Sequence, residues 1–406
     1  MFNLFKSKAS SFLGIDVGTK SIKLVELESV SGRPRLVTYG MVEIDSSIAR
    51  DDKAQNSQEE KEKMASAVRV LLEKSGTTAQ DAVAALPNFA VFSSVISLPK
   101  LEEKKLAEAI QWEAKKFVPM PIENVVLDWK ILHEKEHKQA SPQDKESAEK
   151  QQDPKTQNTK ELSKPDSGEK ADLIKKVPSA VAGKNLAKCD TVINILLTAA
   201  PRHLVERYVA IFKMAGINLL SLETESFALS RSLVGNEAGT ILIADVGSLT
   251  TDITVIRAGV PVFSRSINVG GKTVTQAIAD SMGVDAARAE QFKQDVGMGS
   301  SSQATGESGK GVSGIIEQSF ASVINEMKYT LDLQAKGGHA IEKVLLTGGS
   351  AFLPSLDKYI NSSLGIKVFI GNPWARISYP KDLSASLDKI APRMGVAIGL
   401  AMREIE

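Results

Sequence analysis

The sequence contains one pattern twice, and this repeat constrains the fold more than any other feature. In residues 12–44 and again in residues 241–269, an apolar run ends in Asp-Val-Gly, and a turn rich in Gly, Ser and Thr follows. Each turn leads into an alternating strand, and a Gly-containing turn then leads into a third strand. Two copies of one supersecondary unit predict two similar α/β halves.

A second pair of matching stretches lies further along the chain. We predict that a strand at 192–198 in the first half corresponds to a strand at 343–347 in the second. Each leads into an amphipathic helix, which ends at Gly216 or Gly365, and then into another apolar strand. Helix–strand crossovers of this length predict parallel strands at the far side of each sheet.

An extra block, residues 82–189, interrupts the first half. Its apolar stretches and the helical stripe at residues 101–117 predict a small α+β subdomain. Within the block, residues 134–187 are predicted to be disordered, because so polar a segment cannot bury enough apolar surface to offset the entropy of ordering.

Composition excludes several classes of function. Lys and Arg number 50, and Asp and Glu number 49, so the net charge of +1 argues against a general nucleic-acid-binding protein. The single cysteine, Cys189, can form neither an internal disulfide nor a Cys-rich zinc site, which favours a reducing compartment. No apolar run approaches the ~20 residues that span a bilayer, so we expect no transmembrane segment.

The two Asp-Val-Gly turns predict a site for a phosphorylated ligand. Asp16 and Asp245 each end a buried strand, and Gly18 and Gly247 follow in turns whose backbone amides can cradle phosphate oxygens. If a pseudo-two-fold axis relates the halves, both carboxylates face one cleft, where they repel unless a cation lies between them. Mg²⁺ suits that place, since it prefers one or two carboxylates together with substrate phosphates.

Further candidates lie at matching positions. Lys23 follows Asp16 on the next strand and can reach phosphates, and the amides of Gly270 and Gly271 open a helix where phosphates bind. The Gly348-Gly349-Ser350 turn lets the backbone approach a nucleotide. Glu290 and Lys293 share one helix face and can contact a ribose and a base.

These residues resemble the actin, sugar-kinase and DnaK-type ATPase superfamily. Its motifs match in order: phosphate-1 at 14–23, connect-1 at 223–233, phosphate-2 at 245–252, adenosine at 345–356 and connect-2 at 395–401. The resemblance implies ATP and Mg²⁺ as cofactors, with Asp16 and Asp245 holding the ion through water. It implies phosphate contacts for Gly18, Thr19, Lys20, Lys23, Gly247 and Ser248, nucleoside contacts for Glu290 and Lys293, and a water-positioning role for Glu225. Leu249 replaces a third glycine of phosphate-2, which implies ATP binding with weak or no hydrolysis.

Within that superfamily the chain resembles the PilM family of type IV pilus assembly proteins, which shares an inserted subdomain, 1C, with the FtsA branch. The matching stretches are 1–16, 87–101, 111–129 and 392–405. The implied fold is α/β, a duplicated actin-like (ribonuclease-H-like) ATPase fold with a 1C-type α+β insertion. The implied subdomains are 1A at 1–81 and 190–239, 1C at 82–189, 2A at 240–273 and 331–406, whose final helix returns toward 1A, and 2B at 274–330.

The family resemblance also implies partners and a location. It implies a cytoplasmic scaffold, held at the inner membrane through partners, that binds the N-terminal tail of a PilN-type protein between 1A and 1C and links the alignment complex to the motor. Phe117–Pro121 is the segment we expect in that groove, and self-association is also compatible with the family. Two alternatives stay open: an FtsA-like division protein with a membrane-tethering helix, and a small-molecule kinase with a carboxylate base.

Overall fold

A computed structural model describes residues 11–44, 57–136, 191–299 and 311–405 of the chain. The strands are β1 (Ser11–Val17), β2 (Ser21–Val30), β3 (Arg33–Glu43), β4 (Asp81–Leu86), β5 (Phe92–Pro99), β6 (Val125–Glu136), β7 (Thr191–Pro201), β8 (Asn218–Thr224), β9 (Thr240–Val246), β10 (Thr251–Arg257), β11 (Val260–Ile267), β12 (Lys343–Thr347) and β13 (Val368–Ile370). The α-helices are α1 (Gln58–Ser75), α2 (Glu103–Phe117), α3 (Arg202–Ala215), α4 (Glu225–Leu229), α5 (Gly271–Met282), α6 (Ala286–Val296), α7 (Val312–Lys336), α8 (Leu356–Leu364), α9 (Ser384–Asp388) and α10 (Gly395–Met402).

Two five-stranded sheets have the same strand order. The first is β3-β2-β1-β4-β8 and the second is β11-β10-β9-β12-β13. In each sheet the first three strands form antiparallel hairpins, and the last two are parallel to the central strand. This equivalence confirms the predicted α/β class and the duplicated actin-like fold.

Each sheet buries one face under its own helices. In the first half, α1 and α3 pack on the sheet around Met64, Val68 and Phe212. In the second half, α5, α7 and α8 cover the sheet around Ile278, Phe320 and Leu356. The apolar stripes of these helices and the β-branched residues of the strands therefore form two separate cores.

The matching hairpins also share a turn conformation. Ser31 and Gly32 join β2 to β3, and Ala258 and Gly259 join β10 to β11, all with positive φ. Two consecutive left-handed residues are the conformation that matches the twist of a two-residue hairpin. The repeat thus extends to the backbone of its turns.

A third sheet, β5-β7-β6, forms a small subdomain with α2 packed on it through Leu106, Ile110 and Ala114. Two predicted strand assignments are wrong. β4 lies in the first large sheet rather than opening the inserted block at residue 82, and β7 is the centre of the small sheet rather than the counterpart of β12. Pairing with β1 makes β4 that counterpart, and apolar composition alone could not decide which sheet each strand joins.

The predicted disordered insertion at 134–187 lies mostly outside the described residues. Its first residues, 134–136, continue strand β6, so the strand extends slightly further than the composition suggests. The division of the chain into subdomains otherwise stays a prediction.

The two halves meet through α4 and α10, which lie between the large sheets in a shared apolar cluster with Val83, Ile243 and Leu345. Close contacts there require glycine. A Cβ on Gly399 would lie 1.9 Å from the Ala228 carbonyl oxygen, and one on Gly14 would lie 2.0 Å from that of Ala397. The final helix therefore packs on β1 of the first half.

Candidate functional site

Both Asp-Val-Gly turns open into one cleft between the halves, with a cavity volume of about 920 Å³. The structure brings nearly all the predicted site residues to this cleft: Asp16, Gly18, Thr19, Lys20, Lys23, Glu225, Asp245, Gly247, Ser248, Gly271, Glu290, Lys293, Gly348, Gly349 and Ser350 line it. Gly270 is absent from the lining, and so is Leu249.

The turn of the first half contains an ion pair. Lys23 on β2 lies opposite Asp16 on β1 in the antiparallel register. Its Nζ donates to Asp16 Oδ2 at 2.8 Å, and both side chains are largely buried. The Lys23 ammonium therefore neutralises Asp16, the carboxylate that sequence reasoning assigned to a magnesium ion. A bound phosphate would compete with Asp16 for the Lys23 ammonium. Lys20 is exposed beside the same turn, with its Nζ 3.9 Å from Glu43.

The turn of the second half contains two carboxyl groups instead. Asp252 on β10 lies opposite Asp245 on β9 in the antiparallel register. Burial, followed by the nearby Asp252 and Asp16, raises the pKa of Asp245 to about 7, although Lys23 opposes the rise. Burial likewise raises the pKa of Asp252 to about 6, against hydrogen bonds from Ser266 and Thr250. This excess of buried acid is what a cation in the cleft would relieve.

Glu225 adds a further carboxyl group beside Asp16, Asp245 and Asp252. It begins α4, and its Oε2 accepts a hydrogen bond from the backbone N–H of Asn88 at 3.0 Å. Burial raises the pKa of Glu225 well above its ordinary value, and the charges of Asp252, Asp16 and Asp245 raise it further. The ionised form of Glu225 is therefore destabilised by burial and by the carboxylates around it.

The glycines that open α5 have a different role from the one predicted. The N–H of Gly271 donates to the Gly247 carbonyl at 3.0 Å, and the N–H of Gly270 donates to Thr273 Oγ1 at 3.3 Å. These amides are therefore engaged within the protein rather than directed at a phosphate. A Cβ on Gly270 would lie 2.6 Å from the Ser248 carbonyl oxygen, so this glycine permits α5 to pack on the second turn.

The pair Glu290 and Lys293 lies together on α6, 2.6 Å apart. Lys293 is buried and also donates to the Gly271 carbonyl at 3.1 Å and to Thr275 Oγ1 at 2.9 Å. Burial would raise the pKa of Glu290, but hydrogen bonds from Lys293, Thr275 and Gln294 lower it below its usual value. Lys293 therefore ties α6 to α5, while Glu290 stays an ionised acceptor at the cleft.

The Gly348-Gly349-Ser350 turn packs directly on the second Asp-Val-Gly turn. Gly348 has φ of +89°, and a Cβ there would lie 2.3 Å from Asp245 Oδ1. The N–H of Ser350 donates to the Val246 carbonyl at 3.0 Å. A larger residue at 348 would displace the carboxylate, so the glycine is required by the site itself.

Several cleft residues were missed by sequence reasoning: Asp252, Lys272, Phe89, Phe352 and Arg393. Asp252 could have been found, because it follows Asp245 at the spacing at which Lys23 follows Asp16. Phe352 and Arg393 carry no such signal in the sequence.

The residues present fit a magnesium nucleotide. Across the described ranges, no group of His, Cys, Asp or Glu is arranged to hold a metal by itself. Mg²⁺ that keeps its waters and is shared with substrate phosphates needs no such cage. The buried acid pair, the glycine turns and Lys23 supply the carboxylates, the close backbone approach and the cation that a metal-bound phosphate requires.

Comparisons with known proteins agree with the predicted family. A sequence model described as Type IV pilus assembly protein PilM matches residues 14–151 and 179–405. A chain of the PilM-PilN type IV pilus biogenesis complex is similar in structure, with a TM-score of 0.72 and 23% identity over 97% of this chain and 98% of that one. At that identity the likeness shows the fold.

More distant similarities are weaker. The ethanolamine utilization protein EutJ from Carboxydothermus hydrogenoformans gives a TM-score of 0.49 and 16% identity over 97% of this chain and 89% of that one. MreB 5 of Spiroplasma citri bound to AMPPNP gives a TM-score of 0.47 and 13% identity over 96% of this chain and 94% of that one.

None of the helices that the structure describes is long and apolar enough to cross a membrane.

Proposed function

The chain belongs to the PilM family of type IV pilus assembly proteins, and we propose that it is an ATP-binding scaffold of that machinery. The observation that carries ATP binding is the meeting of two Asp-Gly turns, Lys23 and the Gly348-Gly349 turn in one cleft. ATP would supply phosphates for Lys23 and the turns, and Mg²⁺ would offset the charge of Asp16 and Asp245 through its waters.

We propose that hydrolysis is weak or absent. The support is the sequence of the second turn, where Leu249 replaces the third glycine of the phosphate-2 motif. Glu225, whose Oε2 accepts a hydrogen bond from the Asn88 N–H, is the residue that would position the water. Binding rather than turnover then defines the nucleotide state of the scaffold.

The proposed partner is the N-terminal cytoplasmic tail of a PilN-type protein. The similar PilM chain was solved as a PilM-PilN complex, and the likeness covers the small subdomain of this chain. Phe117, at the end of α2, is 41% exposed and is followed by the half-buried Met120. We place the tail between the first large sheet and this subdomain, which holds the chain at the inner membrane and links the alignment complex to the motor.

A polar connection joins the cleft to the small subdomain. Asn88 lies between β4 and β5, donates its N–H to Glu225, and accepts from Ser226 Oγ at 2.9 Å through its side chain. Ser226 Oγ lies 3.1 Å from Thr254 Oγ1 of the second half. A change at Glu225 would therefore act at once on the strand that enters the small subdomain, and we propose that nucleotide biases partner binding by this route.

A binding cycle tests this function. Calorimetric titration would measure the affinity of a PilN N-terminal peptide with and without saturating Mg-ATP, and the affinity of ATP with and without peptide. The two changes must be equal, because coupling is reciprocal. In Asn88→Ala both ligands should still bind, with the coupling reduced, whereas the matched variant Asn236→Ala, away from this cleft, should keep it.

Other outcomes select other functions. ATP binding without any response to the peptide would favour an FtsA-like role. Phosphorylation of small alcohols or acids in place of peptide binding would favour the kinase branch.

A further inference from the structure

Helix α2 of the small subdomain has a tryptophan on its outer face. Trp112 is 63% exposed, more than any other large apolar side chain of the described residues. It lies two residues after Ile110 and two before Ala114, which pack on the three-stranded sheet, and two residues correspond to about 200° around a helix. Trp112 therefore points away from the core of its own subdomain. Since tryptophan is highly buried on average, this position indicates a surface that something else covers.

Lysines surround Trp112 on this outer face. Four lysines of α2 are exposed: Lys104, Lys105, Lys115 and Lys116. The Nζ of the fourth lies 4.2 Å from the centre of the Trp112 ring, where it makes a cation–π contact. Glu102 pairs with the second of these lysines at 3.3 Å, and Glu113 pairs with the fourth at 2.7 Å. Within the part of the chain that the structure describes, Lys104 and Lys115 have no carboxylate partner, so their charges are available to a ligand.

The composition of this face favours a lipid surface over a protein. The centre of a protein interface is a group of apolar side chains with a polar rim, whereas Trp112 is the one large apolar side chain on the outer face of α2. A tryptophan among lysines matches the boundary of an anionic bilayer, where the indole lies at headgroup level and the ammonium groups contact lipid phosphates. Glu108 is also exposed on this face. The surplus of positive charge is therefore small, and Trp112 must supply much of the affinity.

The segment in which we place the partner's tail adjoins this face. Phe117 ends α2 and begins that segment. Because the tail belongs to a membrane protein and continues into the bilayer, a chain that holds the tail there also has α2 close to the lipid headgroups.

We propose that the outer face of α2, formed by Trp112 and the four lysines, is a contact site for anionic phospholipid headgroups. The choice of a membrane as the occupant rests on the proposed function, which brings α2 to the inner membrane. The contact is a second, weak attachment beside the partner's tail, and it orients the small subdomain on the bilayer surface.

Vesicle binding in the absence of the partner peptide tests this contact. Cosedimentation of the full chain would be measured with vesicles of phosphatidylcholine alone, and with vesicles of phosphatidylcholine and phosphatidylglycerol in equal parts. We expect binding to the anionic vesicles only. Trp112→Ala should weaken that binding about tenfold, because the lipid no longer covers an indole.

The lysines are tested with a matched pair of double variants. Lys104→Gln/Lys115→Gln should weaken binding about fivefold for each lysine removed. Lys328→Gln/Lys336→Gln changes the net charge equally, but it alters two exposed lysines on α7 of the second half and should bind like the wild type.

Fluorescence locates the contact at Trp112. The chain has three tryptophans, of which Trp374 is fully buried and Trp129 packs on the core of the small subdomain. Anionic vesicles should therefore shift the emission to shorter wavelength through Trp112. Trp112→Phe should keep most of the binding and lose the shift.

Three results would overturn the inference: no binding of the wild type to anionic vesicles, unchanged binding by Trp112→Ala, or an equal loss in the α7 control. A Trp112→Ala variant that changes only self-association, measured by analytical ultracentrifugation, would assign the face to a second copy of the chain instead. The proposed function fails separately, if the wild type does not bind the PilN N-terminal peptide. Trp112→Ala should bind that peptide like the wild type, since the segment that we assign to the tail begins at Phe117.

Discussion

The two Asp-Val-Gly hairpins have the same register but differ in charge. In the first half, Asp16 faces Lys23 across the hairpin, and the two form an ion pair at 2.8 Å. In the second half, Asp245 faces Asp252, and two buried carboxyl groups share the same place. Superimposed positions of one repeat therefore carry a lysine in one copy and an aspartate in the other.

This difference shows that the repeat preserves the backbone while the chemistry diverges. The first hairpin is internally neutral and supplies a cation that a phosphate can attract away from Asp16. In the second hairpin, burial destabilises the ionised forms of Asp245 and Asp252. A bound cation would therefore stabilise this hairpin more than the first. A ligand with both phosphates and Mg²⁺ matches this asymmetry, because each hairpin meets the group of opposite charge.

The largest loss of stability should come from replacing Gly14 of the first half with the residue of the second half that aligns with it, Ile243. A Cβ at 14 would lie 2.0 Å from the Ala397 carbonyl oxygen and 2.5 Å from the Ala401 nitrogen. Gly14→Ile should therefore lower the free energy of unfolding by about 4 kcal/mol or more, measured by urea denaturation. Ile243→Val, the mild control in the second half, should cost only about 1 kcal/mol. An equal loss for the two variants would contradict the difference in packing.

A smaller effect should appear in the pH dependence of folding stability, which the second hairpin should influence more than the first. A raised carboxyl pKa in the folded state means that stability is greatest at low pH and is lost as pH rises through about 7 for Asp245 and about 6 for Asp252. In the nucleotide-free protein, Asp252→Asn should remove about 2–3 kcal/mol of the loss between pH 4 and 8.

Chemical denaturation at several pH values, with EDTA present, measures this difference. Ser266→Ala serves as a control, because it removes a hydrogen bond to Asp252 but keeps the second carboxyl group. A wild-type protein that becomes more stable between pH 6 and 8 through these groups would show that the acid pair is not buried as described.

The smallest effect should come from the matching hairpin turns. Ala258 has φ of +48° and Ser31 has φ of +54°, a conformation that asparagine tolerates better than alanine does. Ala258→Asn should stabilise the protein by about 0.5 kcal/mol in urea denaturation, and Ser31→Asn should have a similar or smaller effect. A loss of stability in both variants would contradict the turn conformation.

The repeat allowed the fold to be predicted, since the spacing of strands and turns reflects backbone geometry that each copy keeps. The repeat led to the wrong sheet for β7, because its run Val192–Leu197 is as apolar as a central strand of either large sheet. Sheet membership depends on long-range pairing that a local pattern does not contain. The helix that was predicted to end at Gly365 begins only at Leu356, after Pro354 and a Ser355 with φ of +61°.

The site residues that belong to sequence motifs could be predicted. The contacts that depend on how the helices and loops pack could not. The aspartates and glycines of the turns reach the cleft because they end paired strands. The amides of Gly270 and Gly271 were assigned to phosphates, but they bond within the protein because α5 packs closely on the second turn. Phe352 lies in an apolar run, from which a buried side chain would be expected. In the structure Ala351 and Leu353 are buried and Phe352 between them is exposed.

The central claim is that the two hairpins together bind one magnesium nucleotide. Its most direct test is calorimetric titration of Mg-ATP into the wild type, Asp16→Ala and Asp245→Ala, with circular dichroism to confirm that each variant is folded. The account predicts saturable binding of one ATP per chain in the wild type and loss of that binding in both variants. A wild type that binds no ATP, or an Asp245→Ala variant that binds it unchanged, would contradict the account.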